Sequence, residues 1–499
     1  MQTRLWLFPP LAGLLMVLAF PSWSIFPLAW VALIPYLEFL RNATRWRQSL
    51  LGHLVFSFAY FGGILYWIPS VLTSYGQIPW IAAAPVFGLM LLGLTILLLP
   101  FTLLFQLVSW WSLRLALLCA PAFWTLTELI RTYFPLNGFP WGALGYSQLP
   151  FTSMVQIGDI GGVYLISILV VAINAALFDF LRHRRLFVPS LLAAVLLVVN
   201  IYGIYRLYFW NPAYGEELTV GLVQGNLALS ESREYYARKY FEDLAAQFEQ
   251  AVAEGARFVI FPEAQNPFYF SDDFYFRTFW SSKTQRSGTY LLFNSSRHSE
   301  GEYYNSAFVL GPQGEVVYRY DKIHLVPFGE YVPFQTLLTF VNPLVQEVSD
   351  FAAGEQLEVG TVGDLSFGTL ICYEAIFPQH SKALAAQDAG VLVNITNDSW
   401  FGKTSAPYQH LQMAIMRAIE VRRPLLRAAN SGFSAIISPM GETLEVSGLF
   451  ETDLIVATVS SVEGDSVFVR LGQWPVIAII VSTIFAALAG SFRNRIGKE

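Results

Sequence analysis

Uninterrupted apolar runs fill residues 5–208 of this chain and return once at 474–492, and they constrain the fold more than any other feature. A bilayer core takes roughly 20 apolar residues per helix. Seven runs approach or exceed that length before the polar region, at about 5–20, 24–40, 50–73, 79–108, 113–131, 162–181 and 187–208, and 474–492 is an eighth. With 55% apolar and only 13% charged residues, the chain is too apolar for an ordinary soluble protein. Residues 209–473, in contrast, have ordinary globular character. The expected organisation is therefore seven transmembrane helices in 1–208, an extramembrane domain in 209–473, and an eighth transmembrane helix with a tail in 474–499. The first run follows Arg4 and has features of a signal peptide, but no small-residue cleavage site follows it, so it is read as retained.

Loop charge gives the orientation, because cytoplasmic loops collect Lys and Arg. With the N-terminus inside, the inner segments hold Arg4, Arg41, Arg45, Arg47, Arg114, Arg182, Arg184, Arg185, Arg493, Arg495 and Lys498, while the outer ends and short loops hold only Arg131 and Arg206. That alternation puts 209–473 on the outer side, which in a bacterium is the periplasm. The expected location is thus the bacterial inner membrane, multi-pass, with the polar domain facing the periplasm.

A net charge of −6 without a basic surface disfavours a nucleic-acid partner. The two cysteines, Cys119 in an apolar run and Cys372 in the polar region, are too differently placed to suggest a disulfide. The six histidines show no HExxH and no zinc-type spacing, so neither a metal nor a cofactor is expected.

Within the polar region, strand-length apolar runs at 218–224, 257–261, 289–295, 365–372, 390–396 and 424–429 alternate with helical patterns at 231–253 and 406–421, and hairpins are marked by Gly311 with Gly314 and by Gly441. This predicts an α/β domain with parallel and hairpin-linked strands, a sandwich of sheets covered by helices. Glu263, Lys322 and Cys372 each follow a predicted strand, and side chains at the carboxyl ends of strands can converge on one side of such a domain. Taken singly they are ordinary: a buried small hydrophobe, a cap and a solvated cation. Together they form a nucleophile, a base to take its proton, and a cation which, with nearby backbone N–H groups, stabilises the oxyanion of an attacked carbonyl.

The segments FPEAQNP (261–267), YDKIHLVPFGEYVP (320–333), ICYEAIFP (371–378) and NITNDSWFG (394–402) resemble, in that order, the nitrilase or carbon-nitrogen hydrolase superfamily. Within it, HLVPFGEYVP with seven spans before it and one after, together with NGFPWGALGYSQ (137–148) and QIGDIGGVYLIS (156–167), resembles the apolipoprotein N-acyltransferase family. The resemblance implies a polytopic α-helical membrane protein with a nitrilase-like α-β-β-α sandwich outside the membrane. It implies Glu263, Lys322 and Cys372 as the catalytic triad, with Glu330, Tyr373 and Glu374 supporting it or binding substrate. The implied reaction is ping-pong transfer of an acyl chain from a phospholipid donor such as phosphatidylethanolamine, through a Cys thioester, to the N-terminal amine of diacylglyceryl-cysteine on an apolipoprotein. The rival reading is a membrane-tethered amidase or nitrilase, in which water replaces the amine. One departure stands out: where many members carry Lys-Trp after the VQGN stretch, this chain has Ser232-Arg233.

Three further expectations concern single segments. Segments 266–276 and 332–345 are either membrane-facing arms or fillers of the core. Glu128 is expected to pair with Arg131 near the outer end of the fifth span, with lipid head-group binding as the alternative. Arg417, Arg422, Arg423 and Arg427 are expected to be structural ion-pair partners.

Overall fold

The computed structural model describes residues 2–74, 79–184, 186–229, 231–264, 267–332 and 350–496. The N-terminal half is helical: α1 (Gln2–Leu5), α2 (Phe8–Leu18), α3 (Ile34–Asn42), α4 (Trp46–Ile64), α5 (Ile68–Ser74), α6 (Trp80–Ser109), α7 (Leu113–Tyr133), α8 (Thr152–Val155), α9 (Gly158–His183) and α10 (Phe187–Tyr208). Among the described residues, α6, α7, α9 and α10 are long and apolar enough to cross a membrane. A fifth is gained if α4 and α5, bent by 55°, count as one broken span.

Of the remaining expected runs, the first forms the short α2, the second is broken, and the eighth is a helix apolar over Trp474–Ala489. The run 24–40 is not one helix: a 3-10 turn over Phe26–Trp30 is followed by α3, with Pro27 and Pro35 interrupting the backbone ladder. Asn174 of α9 supplies partners at the break, its Oδ1 accepting from Leu33 N (2.9 Å) and its Nδ2 donating to Ala29 O (2.7 Å). Without such partners, backbone polar groups left free in an apolar bundle would each cost several kcal/mol, a figure on the order of that for hydrocarbon. α9 is the axis of the helical half, with 78% of its apolar window buried, whereas α10 lies at the periphery with 6%.

Glu128 and Arg131 do not form the expected ion pair. Glu128 Oε1 accepts from Trp124 Nε1 (2.8 Å) and Leu144 N (2.7 Å), and Arg131 donates to Trp141 O. Their buried polar atoms hold the loop after α7 instead of each other.

The second half contains β1 (Ala213–Gln224), α11 (Arg233–Arg238), α12 (Leu244–Ala253), β2 (Phe258–Ile260), α13 (Phe274–Ser287), β3 (Tyr290–Ser299), β4 (Glu302–Leu310), β5 (Val316–Asp321), β6 (Val359–Val362), β7 (Leu365–Ile371), α14 (Pro378–Ala385), β8 (Val391–Thr396), α15 (Ala406–Val421), β9 (Leu425–Ala429), β10 (Ala435–Ile437), β11 (Thr443–Val446) and β12 (Asp453–Glu463), followed by α16 (Val467–Leu471) and α17 (Trp474–Ile496). They build two sheets, ordered β12-β1-β2-β3-β4-β5 and β11-β10-β9-β8-β7-β6. β1, β2 and β3 run parallel, as do β7, β8 and β9, while the flanking strands are antiparallel.

The sheets face each other through Leu222, Ile260 and Leu292 on one side and Phe367, Val393 and Leu426 on the other. Helices cover both outer faces: Phe248 of α12 and Trp280 of α13 pack with Phe261 and Leu291, and Leu384 of α14 and Ala414 of α15 pack on Leu370 and Leu392. Gly368 of β7 allows the close approach of α14, since a Cβ there would meet Leu384 at 2.8 Å. The result is an α-β-β-α sandwich.

α15 is apolar on two sides because it serves two cores. Ala414, Ala418 and Val421 face the sheet, while Met413, Met416 and Ile419 enter the core of the helical half. Three of the four clustered arginines do form ion pairs: Arg417 with Glu420 (2.9 Å), Arg422 with Asp159 of α9 (3.0 Å) and Arg427 with Asp398 (2.8 Å). Arg423 instead donates to the backbone carbonyls of Ala389 (2.7 Å) and Gly464 (2.6 Å). Glu420 also accepts from Val163 N (2.8 Å), beside the left-handed Gly162 that bends α9.

In the segment 266–276, burial is uneven from residue 267 onward. Phe268, Phe270 and Phe276 are buried, while Phe274 and Tyr275 are exposed. Segment 332–345, from residue 333 onward, lies outside the described residues. At the Ser232-Arg233 departure, Ser232 caps α11 through Tyr235 N (3.1 Å), and Arg233 lies over the Phe268 ring (4.4 Å) and pairs with Asp273 (2.8 Å).

Candidate active site

β2, β5, β7 and β8 all end at the same end of the sandwich, and each delivers a polar group there. Glu263 follows β2, Lys322 follows β5, Cys372 follows β7, and Asn397 follows β8. The first sheet thus supplies the carboxylate and the cation, and the second supplies the thiol.

Cys372 sits at a sharp turn, with φ +52° between β7 and the 3-10 turn Cys372–Ile376. A non-glycine residue in the left-handed region is uncommon and strained, and such positions cluster at functional sites. Its thiol is within hydrogen-bonding reach of the Glu263 carboxylate. Burial, and then the negative charge of Glu263, push the thiol above its ordinary pKa. The resting sulfur is therefore a neutral thiol that needs a base to become a nucleophile.

Glu263 is placed to be that base. Its Oε1 accepts from Asn305 Nδ2 (2.9 Å) and its Oε2 from Asn397 N (3.1 Å). Burial raises its pKa above the usual carboxylate range, with Lys322 pulling the other way. A carboxyl tuned upward is better matched to moving a proton near neutral pH.

Lys322, almost wholly buried, lies 2.8 Å from Glu330 Oε1 and 3.8 Å from Glu263 Oε1. Burial opposes its charge, but the carboxylates of Glu330 and Glu263 outweigh burial and hold its pKa above the ordinary lysine value. The ammonium is therefore permanent and held between the two carboxylates. Glu330 also accepts from Val326 N (2.8 Å) and Asn305 Nδ2 (2.8 Å), which fixes the loop that presents it.

Glu374 has no exposed surface and acts as a brace. Its Oε1 accepts from Tyr320 OH (2.7 Å), Ile323 N (2.9 Å) and His324 N (3.1 Å), and its Oε2 from Ile371 N (2.7 Å). One carboxylate thus ties the loop carrying Lys322 to the turn carrying Cys372. Tyr373 points the other way, its hydroxyl donating to Gly138 O (3.2 Å) in the loop after α7. It joins the nucleophile's turn to the helical half.

Two participants were not singled out from the sequence: Asn305, which bridges Glu263 and Glu330, and Asn397. A signal for Asn305 existed, because Asn is disfavoured inside strands and here it lies within β4, its Oδ1 accepting from Asn294 Nδ2 (2.7 Å) of β3. Asn397 acts through its backbone N–H, which leaves no trace in residue type. Among the described residues no cluster of His, Cys, Asp and Glu is suited to a metal ion.

Comparison with known proteins agrees with this architecture. The sequence model of the carbon-nitrogen hydrolase family matches residues 219–467, so the sandwich domain is of the carbon-nitrogen hydrolase class. The model of the apolipoprotein N-acyltransferase N-terminal domain matches residues 12–176. Apolipoprotein N-acyltransferases of Geobacter metallireducens (37% identical, covering 99% of this chain and 96% of that one), Bradyrhizobium diazoefficiens (31%, 98% and 94%) and Methylococcus capsulatus (30%, 97% and 95%) are similar over nearly their whole lengths. The chain belongs to the apolipoprotein N-acyltransferase family and is an acyltransferase. Among solved structures, a carbon-nitrogen hydrolase from Helicobacter pylori is 19% identical and covers 52% of this chain and 94% of that one, with a TM-score of 0.39. An amidase from Nesterenkonia sp. is 20% identical and covers 52% and 95%, also with a TM-score of 0.39.

Proposed function

We propose that this enzyme N-acylates lipoproteins at the bacterial inner membrane, with Glu263, Lys322 and Cys372 as its catalytic residues, a phospholipid such as phosphatidylethanolamine as donor, and the N-terminal amine of diacylglyceryl-cysteine as acceptor. The observation that carries this reading is the placement of Cys372. Its sulfur faces the Glu263 carboxylate, which lies 3.8 Å from the Lys322 ammonium, while the next residue, Tyr373, bonds to the helical half. The proposed organisation is seven transmembrane helices in 1–208, a periplasmic catalytic domain in 209–473, and an eighth span with a cytoplasmic tail in 474–499.

In the first half-reaction Glu263 takes the thiol proton and the thiolate attacks the ester carbonyl of the phospholipid. Lys322 stabilises the oxyanion so formed. Collapse breaks the carbon–oxygen ester bond, the leaving alkoxide takes the proton back from Glu263, and lysophospholipid departs from a Cys372 thioester. In the second half-reaction the acceptor amine attacks the thioester, Glu263 removes one amine proton, and collapse expels the thiolate, which is reprotonated. Each half-reaction returns Glu263 to its starting state. Glu330, Glu374 and Asn305 hold the three reacting groups in register.

Ping-pong chemistry of this kind has a burst signature. Without acceptor, one lysophospholipid per enzyme is expected, followed by arrest; a diacylglyceryl lipopeptide with a free N-terminal amine restores turnover, and its N-acetylated form does not. Continuous fatty-acid release without acceptor, or ammonia release from small amides, would establish a hydrolase instead.

A further inference from the structure

A cleft of about 670 Å³ opens where the helical half meets the sandwich, and none of the three residues Glu263, Lys322 and Cys372 lines it. One wall is Pro21, Ser22 and Ser24 between α2 and the 3-10 turn, with Tyr66 after α4; the other includes Lys403 and Thr404 ahead of α15. The walls are fixed to each other: Ser405 N donates to Tyr66 OH (3.2 Å), and Gln409 Nε2 donates to Pro21 O (3.3 Å) and Ile64 O (3.2 Å). Trp23 and Ile25, interleaved with the two serines, are exposed by 65% and 46%. Exposed aromatic and aliphatic side chains at span ends mark the level of the bilayer interface, where lipid phosphates lie.

The lining carries one charge and several hydroxyls. Lys403 is exposed, its ammonium 5.7 Å from the Phe450 ring, and among the described residues no carboxylate pairs with it. Ser22 and Ser24 add hydroxyl donors, while the Thr404 hydroxyl already donates to Phe401 O (2.9 Å). Gln412 is also among the lining residues, and its Oε1 is buried and has no hydrogen-bond partner among the described residues. An unsatisfied buried acceptor costs free energy until a donor reaches it. A cation with hydroxyls suits an anionic phosphate oxygen, and an unpaired amide oxygen suits the N–H of an amine carried beside it.

The cleft also connects to the chemistry. Lys403 follows the turn Asp398–Phe401, and that turn begins at Asn397, whose N–H holds Glu263. Phe401 packs on Trp67 (5.0 Å) and Trp141 (6.0 Å), and Trp141 stacks on Phe139 (6.0 Å), next to the Gly138 carbonyl that Tyr373 holds. A chain of aromatic contacts therefore links the loop that carries Lys403 to the nucleophile's turn.

We infer that this cleft binds the phosphodiester head group of a membrane phospholipid, with Lys403 on the phosphate and Gln412 on a donor of the head-group substituent. The inference rests on reading the acyl donor as a phospholipid, and it names where that donor's head group docks.

Full-length Cys372→Ala protein in detergent, which cannot turn over, is titrated with short-chain phosphatidylethanolamine, with the matching phosphate-free diacylglycerol and with inorganic phosphate, and bound ligand is read by native mass spectrometry. Lys403→Glu is expected to weaken phosphatidylethanolamine binding about tenfold, the scale of one charge-assisted bond, and Lys403→Gln less, with diacylglycerol unaffected. Unaltered melting temperatures show that both variants are folded. Equal phosphatidylethanolamine affinity in all three proteins would overturn the proposal, as would inorganic phosphate binding as tightly as the lipid. In active protein the same substitutions should raise the donor KM by the same factor and leave the acceptor KM unchanged. Absence of any acyl adduct on unaltered Cys372, with Lys403-dependent lipid binding intact, would remove the catalytic reading and leave the head-group site standing.

Discussion

Both halves of the molecule bury polar side chains, but they use them differently. In the helical half Asn174 mends a backbone break and Glu128 holds a loop, each with partners that complete a helix or a turn. In the sandwich Lys322 lies between Glu263 and Glu330, with a neutral thiol against Glu263. Burial of a polar group is therefore no sign of chemistry by itself. The sign is an arrangement in which charged groups face one another across the position of a nucleophile, with their proton affinities displaced by that company.

The contrast predicts that polar substitutions in the sandwich stop chemistry, while those in the helical half lower stability only. The largest effect is expected from Glu263→Gln, which keeps the shape but removes the base: the rate of acyl-enzyme formation should fall by about 10²- to 10⁴-fold, read by rapid-quench mass spectrometry. In the unaltered enzyme the acid limb of that rate should lie above the usual carboxylate range, because burial raises the Glu263 pKa. Lys322→Gln should cost about 10²- to 10³-fold, the scale of one oxyanion donor. Asn305→Leu takes one donor from each of Glu263 and Glu330, and about a tenfold loss in rate is expected in the same assay.

Asn174→Leu tests the other side of the contrast. Denaturation in detergent should show a loss of about 1–3 kcal/mol, with the rate of acyl-enzyme formation unchanged. A rate loss as large as that of Asn305→Leu would break the comparison. The smallest effect concerns His324 and His380, a buried pair at 3.1 Å whose pKa values burial lowers from 6.5 to about 3 and about 4. Between pH 6.5 and those values the unfolded chain takes up protons that the folded chain refuses, so stability rises with pH in that window. The melting temperature should fall by a few degrees from pH 7 to pH 5, and His380→Gln should flatten that slope.

The outline of both halves was legible in the sequence because each depends on a local pattern. Apolar length marks α6, α7, α9 and α10, and strand-length apolar runs mark β2, β7, β8 and β9. The break at 26–34 was not legible, since it is stabilised by Asn174, more than a hundred residues away. The last strand, β12, was missed although it pairs with β1 along most of its length. It lies after a hairpin, and its place beside the first strand is set by the sheet. Glu263, Lys322 and Cys372 could be picked out because they follow strands. The bridging by Asn305, the N–H of Asn397 and the left-handed turn at Cys372 depend on tertiary geometry that residue type does not record. The Glu128–Arg131 expectation failed for a related reason: spacing along a helix brings two charges near, but the loop after α7 offered both of them better partners.

The central claim is that Cys372 carries the acyl group. The most direct test is to incubate the purified protein with phosphatidylethanolamine, without acceptor, and to look by mass spectrometry for a mass increase on the peptide containing Cys372. The account predicts one fatty-acyl group on that peptide, released by neutral hydroxylamine and absent from Cys372→Ala. An unmodified Cys372 in protein that still transfers acyl chains to a lipopeptide would contradict it.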